Sequence, residues 1–203
     1  MLRVFVANKS RSWLWCLALT GLLVVLSACG ASAPPRPAVW TNYQGSAFAM
    51  NYFSSWGVGT KDLYLGTSYP QLEMLQGMAF TSPDTSTTYV QVIYAANTDG
   101  KASVSDLLSK HILGTQTAPV AASKLTTTTL GGETWTQGVV EKQVVGADGS
   151  AATIQETALG VSHVVSPKQT EIYLIIYQNQ TGSAASAAQS YLTRMVNSFK
   201  FAS

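Results

Sequence analysis

The chain has 203 residues, 46% hydrophobic and 10% aromatic, which is enough apolar content for one buried core, and one domain is the simplest count. Charged residues make up only 11%, against about 25% in an average soluble domain, and the formal net charge is +2. So small a charge gives no reason to expect nucleic-acid binding or a polybasic membrane contact.

The first segment carries Arg3, Lys9 and Arg11, followed by an uncharged apolar run of 14 residues from Trp13 to Leu26. That run is short of the ~20 residues a spanning helix needs and fits the central region of a secretory signal. The run ends in Leu26-Ser27-Ala28-Cys29, which resembles the lipobox of bacterial lipoproteins. The resemblance implies cleavage between Ala28 and Cys29 and a diacylglycerol on the Cys29 thiol. The residue types suit that chemistry, since a thioether needs a thiol and a peptidase at a membrane surface needs small side chains before its bond. Each buried CH₂ of an acyl chain contributes about 0.8 kcal/mol, so two chains anchor firmly. The competing reading, an uncleaved anchor helix that happens to end in cysteine, leaves the flanking charge, the length and the lipobox without a common cause.

On this reading residues 1–28 are a signal peptide, residues 29–39 are a lipidated cysteine with a Pro/Ala-rich tether, and residues 40–203 are one globular domain. Cleavage removes three of the twelve Lys and Arg and none of the ten Asp and Glu, so the mature net charge becomes −1. Cys16 leaves with the signal and Cys29 is consumed by lipid. The domain then has no disulfide and is held by its core. Pro34, Pro35 and Pro37 favour extended geometry in "GASAPPRPAV", so the tether reaches at most about 30 Å. Gly30 after Cys29 is not the aspartate that retains lipoproteins of two-membrane cells at the inner membrane, so the outer membrane is a further destination in such a cell.

From Trp40 the patterns become globular. "SAFAMNY" puts Phe48, Met50 and Tyr52 on one face, which predicts a strand, and "TTYVQVIYAA" predicts a central strand covered on both sides. "SVSDLLSKHILG" switches to helical spacing, with Ser103 as N-cap, a stripe of Val104, Leu107, Leu108 and Ile112, and Gly114 closing the helix. Beyond Pro119, threonine-rich Lys124 to Leu130 runs to Gly131-Gly132, and "ETWTQGVVEKQVV" continues as a strand. Asp148-Gly149 marks a hairpin turn into "AATIQETALGVSHVV", and Pro167 to Thr170 a second turn into "EIYLIIYQ". A final helix is predicted from about Ser183 to Asn197, where Ala184, Ala188, Leu192, Met195 and Phe199 make a sheet-packing face. No internal repeat is present. The expected class is α+β with an antiparallel sheet.

"FAMNYFSSWGV" is similar to the Phe-x-x-x-Tyr-Pro-x-x-Trp opening of Mog1/PsbP-like domains, with Phe53 where the family has proline. "GGETW", "IYLIIY" and "YLTRMVNSFKF" fit the same layout, and the resemblance covers Trp40 to Phe201. It implies a twisted antiparallel sheet flanked by helices, an α/β/α sandwich, and an accessory or binding role without a shared catalytic constellation. Function inferred from fold alone is analogy.

Few residues carry chemistry. His111 is not on the helix face of Asp106, and Gly160-Val161-Ser162-His163-Val164 lacks the second glycine and the following helix of a nucleophile elbow. The ten carboxylates are scattered through the chain, and several lie in turns. Asn97-Thr98-Asp99-Gly100 lacks the closing glutamate of a calcium loop, and no phosphate-binding glycine motif occurs. No catalytic residue, metal or cofactor is therefore expected. Trp56 and Trp135 are the candidate ligand contacts, although core burial is the commoner fate of large aromatics.

The expectation is thus a non-enzymatic lipoprotein on the outer face of the cell membrane. It would be held by lipid on Cys29 and would bind an apolar or glycolipid-like ligand or an envelope protein. The alternative is an envelope hydrolase whose site assembles only in three dimensions. Expressed in a bacterium that processes lipoproteins, a Cys29→Ser variant should lose incorporation of an alkyne-tagged fatty acid and accumulate as the longer precursor. Normal labelling and processing would overturn the lipobox reading.

Overall fold

Residues 39–65, 72, 74–83, 88–98, 100–145, 149, 151–181 and 185–202 are described in the computed structural model, all within the unit Ala38–Ser203. Ala28, Cys29 and the tether as far as Ala38 lie outside the described residues, as do Glu73, Asp84, Asp99, Asp148 and the expected helix start at Ser183 and Ala184.

Strands β8 (Ala151–Ser166) and β9 (Gln169–Gln180) form the longest hairpin of the described chain. In "EIYLIIYQ" the apolar residues do not alternate with polar ones, so both faces of β9 are buried. Tyr173 and Ile175 point into one core and Ile172, Leu174 and Ile176 into the other. Around this pair β3 (Gly57–Tyr64), β4 (Met74–Thr81), β5 (Tyr89–Ala96), β6 (Thr126–Leu130) and β7 (Glu133–Val145) complete a seven-stranded antiparallel sheet, in the order β3-β4-β5-β9-β8-β7-β6. A second sheet of three strands has the order β1-β2-β10, from β1 (Trp40–Gln44), β2 (Phe48–Phe53) and β10 (Lys200–Phe201).

The expected α/β/α sandwich with helices flanking the sheet is overturned: the chain is mostly antiparallel strand in two sheets, with short helices. The helix α1 covers only Val104–Leu107 before widening into a π turn, Leu108–Ile112, and α2 spans Ala185–Asn197. The cause lies partly in segments where no strand was expected. "GVGTKDLY" and "MLQGMAFT" lack clean alternation, yet they pair with each other and extend the main sheet by two strands. "FAMNYF" pairs with β1 and β10 in the second sheet, which shares one face of the main sheet with α2.

That face holds the first core. Phe48, Met50 and Phe53 of β2, Leu192, Met195 and Val196 of α2, and Phe199 meet Phe80, Val92, Trp135, Leu159 and Tyr173 of the main sheet. The opposite face holds the second core, where Leu107 and Leu108 pack on Leu75, Ile93, Leu174 and Ile176. Ser103 caps α1 as expected, accepting from the Asp106 amide at 3.4 Å, and Asp106 pairs with Lys110 at 3.0 Å. The turn from β6 to β7 uses Gly131 and Gly132, whose φ values of 61° and 85° favour glycine at both positions. Among the described residues no helix is long and apolar enough to cross a membrane.

Gly160 of β8 lets α1 approach the sheet. A Cβ there would stand 2.5 Å from Val104 Cγ1 and 2.9 Å from Leu174 Cδ2. Gly160→Val should therefore overpack the second core and cost about 1–3 kcal/mol. The expected sign is a lower urea midpoint with an unchanged slope, and an unaltered midpoint would refute this contact as a packing constraint.

Candidate functional site

The strand register assembles one row of side chains across five strands. Val161 of β8 faces Tyr173 of β9, Tyr173 faces Tyr94 of β5, Tyr94 faces Gln76 of β4, and Gln76 faces Asp62 of β3. One step inward the row reads Leu159, Ile175, Val92, Met78 and Thr60. One step outward His163 faces Glu171. Residues two apart on a strand share a face, so all three rows lie on the side that carries the second sheet. The first core therefore ends, at one edge, in a band of aromatic and polar groups.

The β1–β2 turn overhangs that band. Clefts of about 330 and 320 Å³ adjoin it, and both are bordered by Ser46, Ala47 and Tyr94. The first continues over Tyr43, Thr60, Asp62 and Gln76, and the second over His163, Glu171 and Tyr173. The turn is held in place by its backbone. Gly45 N donates to Phe48 O at 2.9 Å, and Ala202 N donates to Ala47 O at 2.9 Å. Tyr173 Oη lies 2.8 Å from Glu171 Oε2 and 3.2 Å from Ala47 O, so its one proton serves either the carboxylate or the turn.

The rings are ordered by their neighbours. Tyr94 and Tyr173 stack at 5.4 Å between centroids with planes 17° apart, and Tyr43 meets Phe80 edge-on at 5.6 Å. His163 lies flat on Phe201 at 3.8 Å, and its Nδ1 is 2.5 Å from Glu133 Oε1. Burial raises the Tyr173 phenol above its ordinary pKa, and its hydrogen bond to the Glu171 carboxylate raises it further. Burial also raises Tyr43. Both are therefore neutral at physiological pH; Tyr43 borders the first cleft, while Tyr173 is buried with its hydroxyl held between Glu171 and Ala47. Among the described residues no lysine or arginine borders either cleft.

The tryptophans named from sequence take other positions. Trp135 is fully buried, with its Nε1 donating to Leu130 O at 2.9 Å and Phe199 edge-on at 5.4 Å, which leaves no surface for a ligand. Trp56 is half-buried with its ring 6.1 Å from Phe53, and neither tryptophan borders these clefts. His111 belongs to the π turn that covers the opposite face, far in the fold from His163 of the first face. Sequence reasoning missed Asp62 and Gln76 because their strands were not read. A signal for the tyrosines did exist. Tyr94 and Tyr173 extend core faces at strand positions where an aromatic body with a polar tip marks the boundary with water.

The buried carboxylate Glu156 belongs to a closed cluster. Glu156 accepts from Lys142 Nζ at 2.5 Å, and the single Tyr89 hydroxyl proton serves either Gln178 Oε1 at 3.0 Å or Glu156 Oε2 at 3.4 Å. Lys142 reaches the Ile112 carbonyl at 3.3 Å as well, so the cluster ties the π turn to β7 and β8. Among the described residues no three His, Cys, Asp or Glu side chains converge as metal ligands. No protein-family model matches the chain, and no curated protein matches it.

A phenol whose folded pKa exceeds its unfolded value of 10.0 stabilises the protein fully below that pH. The contribution is lost as pH rises through the folded value. Native stability should therefore fall above about pH 10, and Tyr173→Phe should fall less steeply, with Tyr89 supplying a residual slope of the same sign. Urea midpoints at neutral and alkaline pH measure this, and identical alkaline losses would contradict the assigned environment of Tyr173.

Proposed function

We propose that the chain is a lipoprotein anchored through Cys29 on the extracytoplasmic face of the cell membrane, acting as a non-catalytic binding domain. The cleft beneath the β1–β2 turn is its binding surface. One observation carries this reading: polar and aromatic side chains occupy sheet positions on the core-bearing face, under a turn tied down by backbone hydrogen bonds. Tyr94 is half-buried there, and Asp62 and Gln76 are exposed on the same face beside it. The polar lining favours a ligand or envelope partner that offers hydrogen-bonding groups, because an apolar one would strip water from Asp62, Gln76 and Glu171 without replacing it. The short tether keeps the domain within about 30 Å of the membrane surface, so the cleft samples molecules of the envelope.

A second reading is favoured by the second cleft, where His163, held by Glu133, shares a wall with Ser46. A hydrolase would use Ser46 as nucleophile and His163 as base, with Glu133 orienting the imidazole. Hydrolysis of p-nitrophenyl esters that Ser46→Ala abolishes would support it.

The binding reading is tested in intact cells with the full-length chain. A benzophenone side chain introduced at cleft-lining Thr60 should give photo-adducts, while one at distal Val145, 72% exposed, should give none. Equal adducts at both positions, or none at Thr60, would remove the cleft as the binding surface.

A further inference from the structure

We infer, resting on the binding reading above, that the paired clefts take a neutral saccharide, one sugar ring on each side of the turn at Ser46 and Ala47. A pyranose has an apolar face of C–H groups and an edge of hydroxyls that both donate and accept. It is recognised where an aromatic surface adjoins planar groups able to hold two hydroxyls at once. Both features occur here in one cross-strand row. Tyr94 has Tyr173 stacked on it at 5.4 Å and is flanked on the other strand by Gln76, with Asp62 one strand further.

Size and charge narrow the ligand. Clefts of about 330 and 320 Å³ stand at the lower end of the range for small-molecule sites. They adjoin at three shared residues, Ser46, Ala47 and Tyr94, so the inferred ligand is one with two linked rings. Asp62 and Glu171 border the clefts and, among the described residues, no lysine or arginine does, which disfavours phosphorylated or carboxylated ligands. The same two carboxylates would attract an organic cation. A cation, however, leaves the Gln76 amide donors and the Tyr43 hydroxyl proton without an acceptor. Hydroxyl groups satisfy carboxylate, amide and phenol together.

The full-length chain in a sugar-free polyoxyethylene detergent is examined by saturation-transfer difference NMR. The probes are cellotetraose, maltotetraose and tetra-N-acetylchitotetraose at millimolar concentration, with tetramethylammonium as the cationic comparison. At least one saccharide should show transfer to its ring protons. Gln76→Ala and Asp62→Asn are substitutions of exposed side chains, expected to keep the native thermal transition and to weaken the apparent Kd about tenfold each. Tyr94→Leu should abolish the signal, and its thermal transition checks that the fold survives. Transfer from none of the three saccharides, transfer from tetramethylammonium only, or saccharide affinity unmoved by both polar substitutions would overturn the inference. Silent saccharides together with intact Thr60 photo-adducts would refute the ligand class while leaving the binding reading in place. Loss of the photo-adducts as well would refute both.

Discussion

The two-sided burial of β9 is the constraint on which the rest of the structure depends. It is the fourth of seven strands, and Ile172 to Ile176 are all buried. A strand with no solvent face must be covered twice. The second sheet with α2 supplies one cover, and α1 with its π turn supplies the other. Its hydrogen-bonded neighbours β5 and β8 inherit the same demand, which is why Val90 and Val92 of β5 are buried on one face and Ile93 on the other. Register cannot slip under these conditions, since a one-residue shift would exchange the two sets of side chains between cores of different shape.

The clefts follow from the way one of those covers ends. The second sheet stops at the β1–β2 turn while β3, β4, β5, β8 and β9 run on beneath it, so part of the main sheet is overhung without being packed. Side chains there must tolerate water on one side and a hydrophobic core on the other. Tyrosine meets that requirement, with its ring continuing the core and its hydroxyl bonding at the rim. The contrast with Glu156 is instructive. There Lys142, Tyr89 and Gln178 close a hydrogen-bonded cluster among strands, and its effect is cohesion of the sheet. Asp62 and Gln76 instead border open space and stay exposed.

Much of the local structure was legible. The strands β5, β7 and β9, the N-cap at Ser103 and the glycine turn before β7 follow from periodicity, hydroxyl capping and the positive φ that glycine permits. Other elements were hidden for identifiable reasons. In β3, Gly57 and Gly59 dilute the alternation, and as an edge strand it is exposed along most of its length, so it has little apolar pattern to read. The helical stripe of Val104 to Ile112 predicted one continuous helix, but its last turn widens. Leu113 N bonds Leu108 O, while Val120 of the returning loop bonds Ser109 O. Trp135, a candidate ligand contact by residue type, is the hub of a buried aromatic group with Phe199 and Phe201.

By itself the sequence determines what depends on neighbours along the chain: the caps and turns, and the period of each strongly apolar strand. These are set by contacts over a few residues, so the order of side chains suffices. Only the tertiary structure decided that a second sheet shares one face of the main sheet with α2, and that Tyr94, Tyr173, Gln76 and Asp62 stand in one row. Those residues come from four strands spread over more than a hundred positions. Their meeting is set by strand order and register, which arise from burying both faces of β9 and leave no trace in any single segment.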